Sequence, residues 1–264
     1  MLGAVGKYKI DPFTLSLYVY DPRESLNRWI SDPFSEGVTI RGVVDYASAP
    51  FGLARKDSFT AALSSYPGTD FSTLPDLGQF TSTPELRRAL INALITRPMW
   101  GQNGWAQLPP ELQQPSTQQK RGRYYFSYAF EQTLWQSAAN PANAWGMFGQ
   151  VAFSDGNPNP FKWEAMAGFG GASPLPGRSN DKFGIGAFYY SYSKELRQAL
   201  SPILTLDDEY GLEVFYNFAV TKWFKVTADI QVIAPAVKSQ SVAPQTIEKN
   251  TPVVFMGLRS QVVF

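Results

Sequence analysis

Glu209 and Glu213 are the pair of side chains that most invites a catalytic reading, because two carboxylates on one face can divide acid and base or nucleophile work. Their context argues against it. At i and i+4 of an alternating, strand-like stretch they stand about 13 Å apart, beyond either spacing that carboxylate pairs use on glycosidic bonds. Asp207, Asp208 and Glu209 offer hard oxygens of the kind that bind Ca2+; a solvated loop end is the simpler reading. Gly184 and Gly186 have the spacing of a nucleotide loop, but no helix pattern follows them. Close packing against a neighbouring strand or loop explains them better. His and Cys are both absent. That removes the commonest general base and metal ligand, and excludes thiolate sites and disulfides. No catalytic residue, metal site or cofactor is expected.

The elements that carry these residues repeat with period two. About ten such segments are legible, most near the roughly 9–11 residues a tilted strand needs to cross a bilayer: Phe13–Tyr20, Gly37–Ser48, Arg55–Ser64, Gly122–Gln136, Asn143–Ser154, Phe161–Ala172, Asp181–Ser193, Glu209–Val220, Lys222–Ile233 and Val253–Phe264. In Glu209–Val220 one face reads Tyr210, Leu212, Val214, Tyr216, Phe218 and Val220, while the other carries Glu209, Glu213 and Asn217 among small residues and Phe215. In Lys222–Ile233 the split sets Phe224, Val226, Ala228, Ile230 and Val232 against Trp223, Lys225, Thr227, Asp229, Gln231 and Ile233. A tight turn around Thr221 joins these two strands. Other connections are long and polar: Leu196–Asp208, Pro235–Pro252 and Tyr66–Lys120. Within the longest, Pro84–Ile95 reads as a helix capped by Thr83, with Leu86, Leu90 and Leu94 as its apolar stripe. It has room to fold inward or to lie over an opening.

Composition narrows the class. A net charge of +1 without like-charge blocks gives no footprint for nucleic acid. No apolar run reaches the roughly 18 residues of a helical span. The mean hydropathy of -0.20 would suit a soluble protein, yet transmembrane strands give the same average because they alternate lipid-facing and water-facing residues. Aromatics reach 15%, with 19 Phe, 13 Tyr and 7 Trp, and they gather near strand ends as in the girdles of membrane barrels. Long strands, uncharged faces, short turns and long loops together favour an all-β, transmembrane antiparallel β-barrel of the outer-membrane type. A soluble β-sandwich or barrel is the rival. Residues 1–7 do not form a signal peptide, since Lys7 follows the apolar stretch instead of preceding it; a mature exported chain and a truncated one would both look so.

The last segment alternates back from Phe264 through Val262, Ser260, Leu258, Met256 and Val254. It resembles the assembly signal of bacterial outer-membrane proteins, which implies barrel-assembly machinery as a partner. Phe153-Ser-Asp-Gly-Asn-Pro-Asn-Pro-Phe-Lys-Trp163, Pro174-Leu-Pro-Gly-Arg178, Asp181-Lys-Phe-Gly-Ile-Gly186 and Asp208-Glu-Tyr-Gly-Leu-Glu-Val-Phe-Tyr-Asn-Phe218 resemble the carbohydrate-selective (OprB) porins. So do Val220-Thr-Lys-Trp-Phe-Lys-Val-Thr-Ala-Asp-Ile-Gln-Val232 with Pro235, and Val253–Phe264. The likeness is clear from about Tyr124 onward; Lys222 stands where that turn commonly has Pro. The resemblance implies a sixteen-stranded porin in the outer membrane, in contact with its lipid and passing small sugars passively. The family's N-terminal strands are then missing from 1–264, which reads as one porin domain with a long loop at 66–120. Either the chain is part of a longer barrel or a smaller one closes from what is here. A general, non-selective porin and a soluble β-rich carbohydrate-binding protein are the alternatives; a homo-oligomer rests on analogy alone.

A sugar path needs polar groups for hydroxyls and aromatic faces for stacking. Strand parity nominates Arg41, Asp45, Arg123, Glu131, Lys162, Glu164, Glu213, Asn217, Lys225, Asp229, Gln231 and Arg259 as lumen-lining, and charges of both signs suit a neutral solute. The plainer reading is that such charges satisfy one another and stay hydrated. Trp100 and Trp105 of the long loop are candidates for stacking at the mouth, with loop packing as the plainer account.

Overall fold

The computed structural model describes residues 2–23, 31–74, 76–80, 118–243 and 246–262. Its main feature is a sheet of eleven strands: β1 (Gly3–Ile10), β2 (Phe13–Tyr20), β3 (Thr39–Ser48), β4 (Arg55–Ser64), β5 (Arg123–Gln136), β6 (Ala144–Ser154), β7 (Phe161–Ala172), β8 (Lys182–Tyr192), β9 (Glu209–Ala219), β10 (Phe224–Ala234) and β11 (Val253–Val262). Every neighbour is antiparallel and next in sequence, so the wall is an up-and-down meander. Its spatial order is linear; among the described residues β1 and β11 are edges and do not pair with each other.

Period-two patterning locates ten of these strands, and the alternation that the pleat demands explains why. Strand β1 is an addition. Its Val5, Lys7 and Lys9 share one face and Ala4, Gly6, Tyr8 and Ile10 the other, so Gly3–Ile10 continues the pattern and pairs with all of β2. The turn around Thr221 is tight as expected: the Thr221 Oγ1 accepts from the Trp223 and Phe224 backbone N–H groups. Strand β10 therefore begins at Phe224, and Trp223 belongs to the turn.

The connections 11–12, 49–54, 137–143, 173–181 and 220–223 lie at one end of the wall, and the described residues that join β2 to β3, β4 to β5, β6 to β7, β8 to β9 and β10 to β11 lie at the other. Buried apolar packing is concentrated at the second end rather than in the wall. Phe71, Leu77, Leu196, Leu200, Ile203, Leu204, Leu206 and Ala236 form one cluster with Tyr192. The segment Leu196–Asp208, expected as a polar loop, supplies most of it through helix α1 (Lys194–Leu200) and the short strand Leu204–Leu206. Ser193 caps α1 by accepting from the Leu196 N–H, and Leu196 and Leu200, one turn apart, point into the cluster. Pro235–Pro252 likewise contains strands Val237–Ala243 and Thr246–Lys249, which pair with each other and extend Leu204–Leu206.

The described parts of the longest connection pack at this end. Gly68–Thr69 pairs with Gln119–Lys120 at its neck. Beyond that, the Asn157 Oδ1 accepts from the Phe71 N–H at 3.0 Å while its Nδ2 donates to Asp70 at 2.7 Å. Phe71 and Leu77 then reach the cluster beside α1. The helix expected at Pro84–Ile95, with Trp100 and Trp105 after it, lies outside the described residues, as does Phe264.

Candidate functional site

Residues opposite one another on paired strands share a face of the sheet. Following the registers across the wall, one belt runs Ala47, Lys56, Glu131, Phe148, Gly168, Gly186, Glu213, Gln231, Phe255. A second links Tyr18, Arg41, Ala62 and Tyr125. All the strand residues nominated for a solute path fall on this face. Asp45 lies opposite Ser58, Arg123 opposite Ser64 and Glu164 opposite Ala152. Lys162 follows Glu164 by alternation. Asn217 and Thr227 face each other, with Arg259 beside them; Asp229 faces Phe215, and Lys225 faces Gln261. Lys7 and Lys9 join the same face from β1, a strand absent from the ten segments read in the sequence.

Part of this set is internally satisfied. Lys56 pairs with Asp45 at 3.6 Å, the Gln150 Nε2 donates to Glu164 at 3.2 Å, and the Asn217 Nδ2 donates to the Thr227 hydroxyl at 2.6 Å. Arg41 lies over the Tyr18 ring, and Lys162 reaches the carbonyls of Ser154 and Asp155. The side chains of Arg123, Glu131, Glu213, Lys225, Asp229, Gln231 and Arg259 make no hydrogen bond or ion pair with another described residue. Mutual neutralisation accounts for some of the face; the remainder presents open donors and acceptors to whatever occupies the space before it.

The opposite face is apolar from strand to strand. One row reads Met147, Phe169, Ile185, Val214, Ile230, Met256, and another Phe130, Gly149, Ala167, Ala187, Leu212, Val232, Val254. These side chains are not covered by protein: Met256 and Leu258 are each 80% exposed, and Leu17, Ile40, Phe59, Phe126 and Ile230 are also exposed. A continuous apolar surface over eleven strands far exceeds the patches that water-soluble monomers show. Rings mark both ends of it. Phe13 and Tyr46 pack at 5.0 Å near the short turns, as do Tyr216 and Phe218 at 4.5 Å. Trp163, Tyr189 and Tyr210 stack in series near the long connections, at 4.7 and 6.2 Å. Among the described strand residues Arg55 and Asp57 are the charged exceptions on this face. They sit at the start of β4 and neutralise each other at 2.7 Å, with the Tyr128 hydroxyl donating to Asp57 and Phe130 under the guanidinium. Sequence parity alone would have found this pair; nothing short of the structure shows that it is closed on itself.

The peptide segments that resemble a known family hold the ends of strands in place. Asn157 anchors the long connection as described. Asp181, 1% exposed, accepts from the Arg178 guanidinium at 2.6 Å, the Tyr216 hydroxyl at 2.9 Å and the Ala219 N–H at 2.9 Å. Asp208 accepts from the Tyr189 hydroxyl, the Tyr192 N–H and Arg197. Glu209 and Glu213 stand on one strand face, and Glu209 accepts from the Ala236 N–H. Among the described residues no group of acidic side chains is arranged to hold a metal ion.

With this geometry in view, comparison with known proteins adds the following. The family described as carbohydrate-selective porin, OprB family, matches residues 48–264. No curated protein matches the chain. Among solved structures, the high-pH structure of Pseudomonas putida OprB is similar at 15% sequence identity and a TM-score of 0.66, over 97% of this chain and 57% of that one. The chain thus spans a little over half the length of that porin, and the likeness is one of fold.

Proposed function

Because the chain belongs to the OprB family of carbohydrate-selective porins, we propose that it forms the wall of an outer-membrane channel through which small sugars diffuse passively. One observation carries this reading: the sheet has one exposed apolar face, whose charged described strand residues are the mutually neutralised Arg55 and Asp57, and one face of open polar groups, separated by a single strand thickness. Lipid accommodates the first and water the second, as transmembrane strands require. Arg41, Asp45, Arg123, Glu131, Lys162, Glu164, Glu213, Asn217, Lys225, Asp229, Gln231 and Arg259 then line the path, and their mixed signs leave no net filter for an anion or a cation. The terminal strand β11, apolar on its lipid side, is the segment offered to the assembly machinery. The work of the site is positioning and hydration, not bond breaking.

The test is swelling of liposomes carrying the folded protein, with monosaccharides, disaccharides and salts of matched size. Faster entry of the sugars is expected. Equal rates for all solutes would leave a general porin and remove the preference; entry of none would remove the channel.

A further inference from the structure

The polar face is interrupted by a block of glycines. Gly168 and Gly170 of β7 lie opposite Gly186 and Gly184 of β8, so a block of adjacent positions carries no side chain. Phenylalanines stand around it. Phe148 of β6 is opposite Gly168, Phe215 of β9 is opposite Gly184, and Phe188 of β8 is opposite Gly211. Each ring lies against its partner glycine: a Cβ built at Gly168, Gly184 or Gly211 would run into the ring of Phe148, Phe215 or Phe188 respectively. The glycines therefore let three rings settle against the wall, and Gly170 and Gly186 floor the space beside them. The resulting depression has a volume of about 450 Å3 and carries Glu213 and Lys182 among its lining residues. That is within the roughly 300–1,000 Å3 usual for small-molecule sites.

Apolar rings on a water-facing surface are unfavourable unless something apolar covers them. Here the surroundings specify the cover. The side chains of Glu213 and Lys182 bond to no other described residue, so an acceptor and a donor stand free beside the rings. A molecule that fits must be neutral overall, must present an apolar face of ring C–H groups to phenylalanine, and must carry hydroxyls around its edge for a carboxylate and an ammonium. We propose that the depression between Phe148, Phe188 and Phe215 is a stacking subsite for a neutral pyranose. The solute class rests on the porin reading above; the location and the ring-face requirement come from the glycine floor.

Saturation-transfer NMR on the full chain folded in detergent micelles tests it, with methyl β-glucopyranoside and the acyclic polyol glucitol as probes. Both carry hydroxyls, and only the first has a ring face. Strong transfer to the pyranose ring protons and little to glucitol is expected. The double variant Phe148→Ala/Phe215→Ala should lower the pyranose signal several-fold. Gly186→Leu is the second variant. A Cβ there meets only the Ala167 carbonyl and the Phe148 ring, each at 3.7 Å, so the backbone tolerates it while the added side chain fills the floor. It should lower the signal as well, and it keeps the test decisive if the double variant does not fold. Equal transfer to glucitol, or pyranose transfer unchanged in the folded variants, overturns the subsite. Swelling assays on the same proteins reconstituted into liposomes separate the two readings. Sugar entry without ring-face transfer removes the subsite and leaves the porin, whereas transfer without entry of any solute does the reverse.

Discussion

At the residue scale, the wall is held in register by acidic side chains buried where strands meet connections. Asp21 is one: it accepts from the Phe34 N–H and from Arg23, whose guanidinium holds the carboxyl well below the usual carboxylate range. Asp181 is the other clear case. Its burial works against the charge, yet the Ala219 N–H, the Tyr216 hydroxyl and Arg178 outweigh that and keep the carboxyl below its ordinary value. A depressed folded-state value contributes stability that is fully present above the unfolded carboxylate pKa of about 3.9 and is lost as pH falls through the folded one. Asp181→Asn leaves charge-assisted bonds unmade and should cost roughly 1–3 kcal/mol at neutral pH. Thermal melts of both proteins in detergent should show a gap that is constant down to about pH 5 and narrows below about pH 4. A gap that ignores pH would mean that the carboxylate charge contributes nothing.

At the element scale, β10 shows how two faces one residue apart meet different solvents. Val226 is near the start of the strand, so a charge there is close to the interface, where the cost falls to about 0–1 kcal/mol. Ile230 is central, exposed on the apolar face and level with Val214 and Met256. Ile230→Arg should therefore cost about 2–4 kcal/mol in folding assays in lipid vesicles. Gln231→Arg, its neighbour, points to the polar face opposite Glu213 and should fold with little loss while changing ion preference in single-channel recordings. Equal folding of both variants would remove the lipid-facing assignment of this strand.

At the scale of the whole molecule, the packed core and the wall are distinct. The buried cluster of Phe71, Leu77, Leu196, Leu200 and Ile203 stabilises the long-connection end, while the wall relies on strand pairing and on an apolar exterior that water does not tolerate. The protein should need detergent or lipid to stay in solution, and its unheated form should migrate differently from its boiled form on a denaturing gel. A monodisperse, detergent-free monomer would contradict the two-solvent wall.

Alternation is a local property, so the strands, the parity of Glu213, Lys225 and Asp229, and the uncharged exterior of Tyr210–Val220 are all legible in the sequence without a partner strand. The short strand β1 shares that pattern and was legible in principle from Lys7 and Lys9. Register is not local. A slip of two residues would keep every side chain on its face and yet part Phe215 from Gly184 and Phe148 from Gly168. The stacking depression, the closure of Arg55 on Asp57 and the reach of Asn157 to Phe71 all depend on which residues stand opposite. So does the cluster around α1, whose members come from three connections far apart in the chain. Period two decides which solvent a residue meets; only the pairing of distant strands decides which residue it touches.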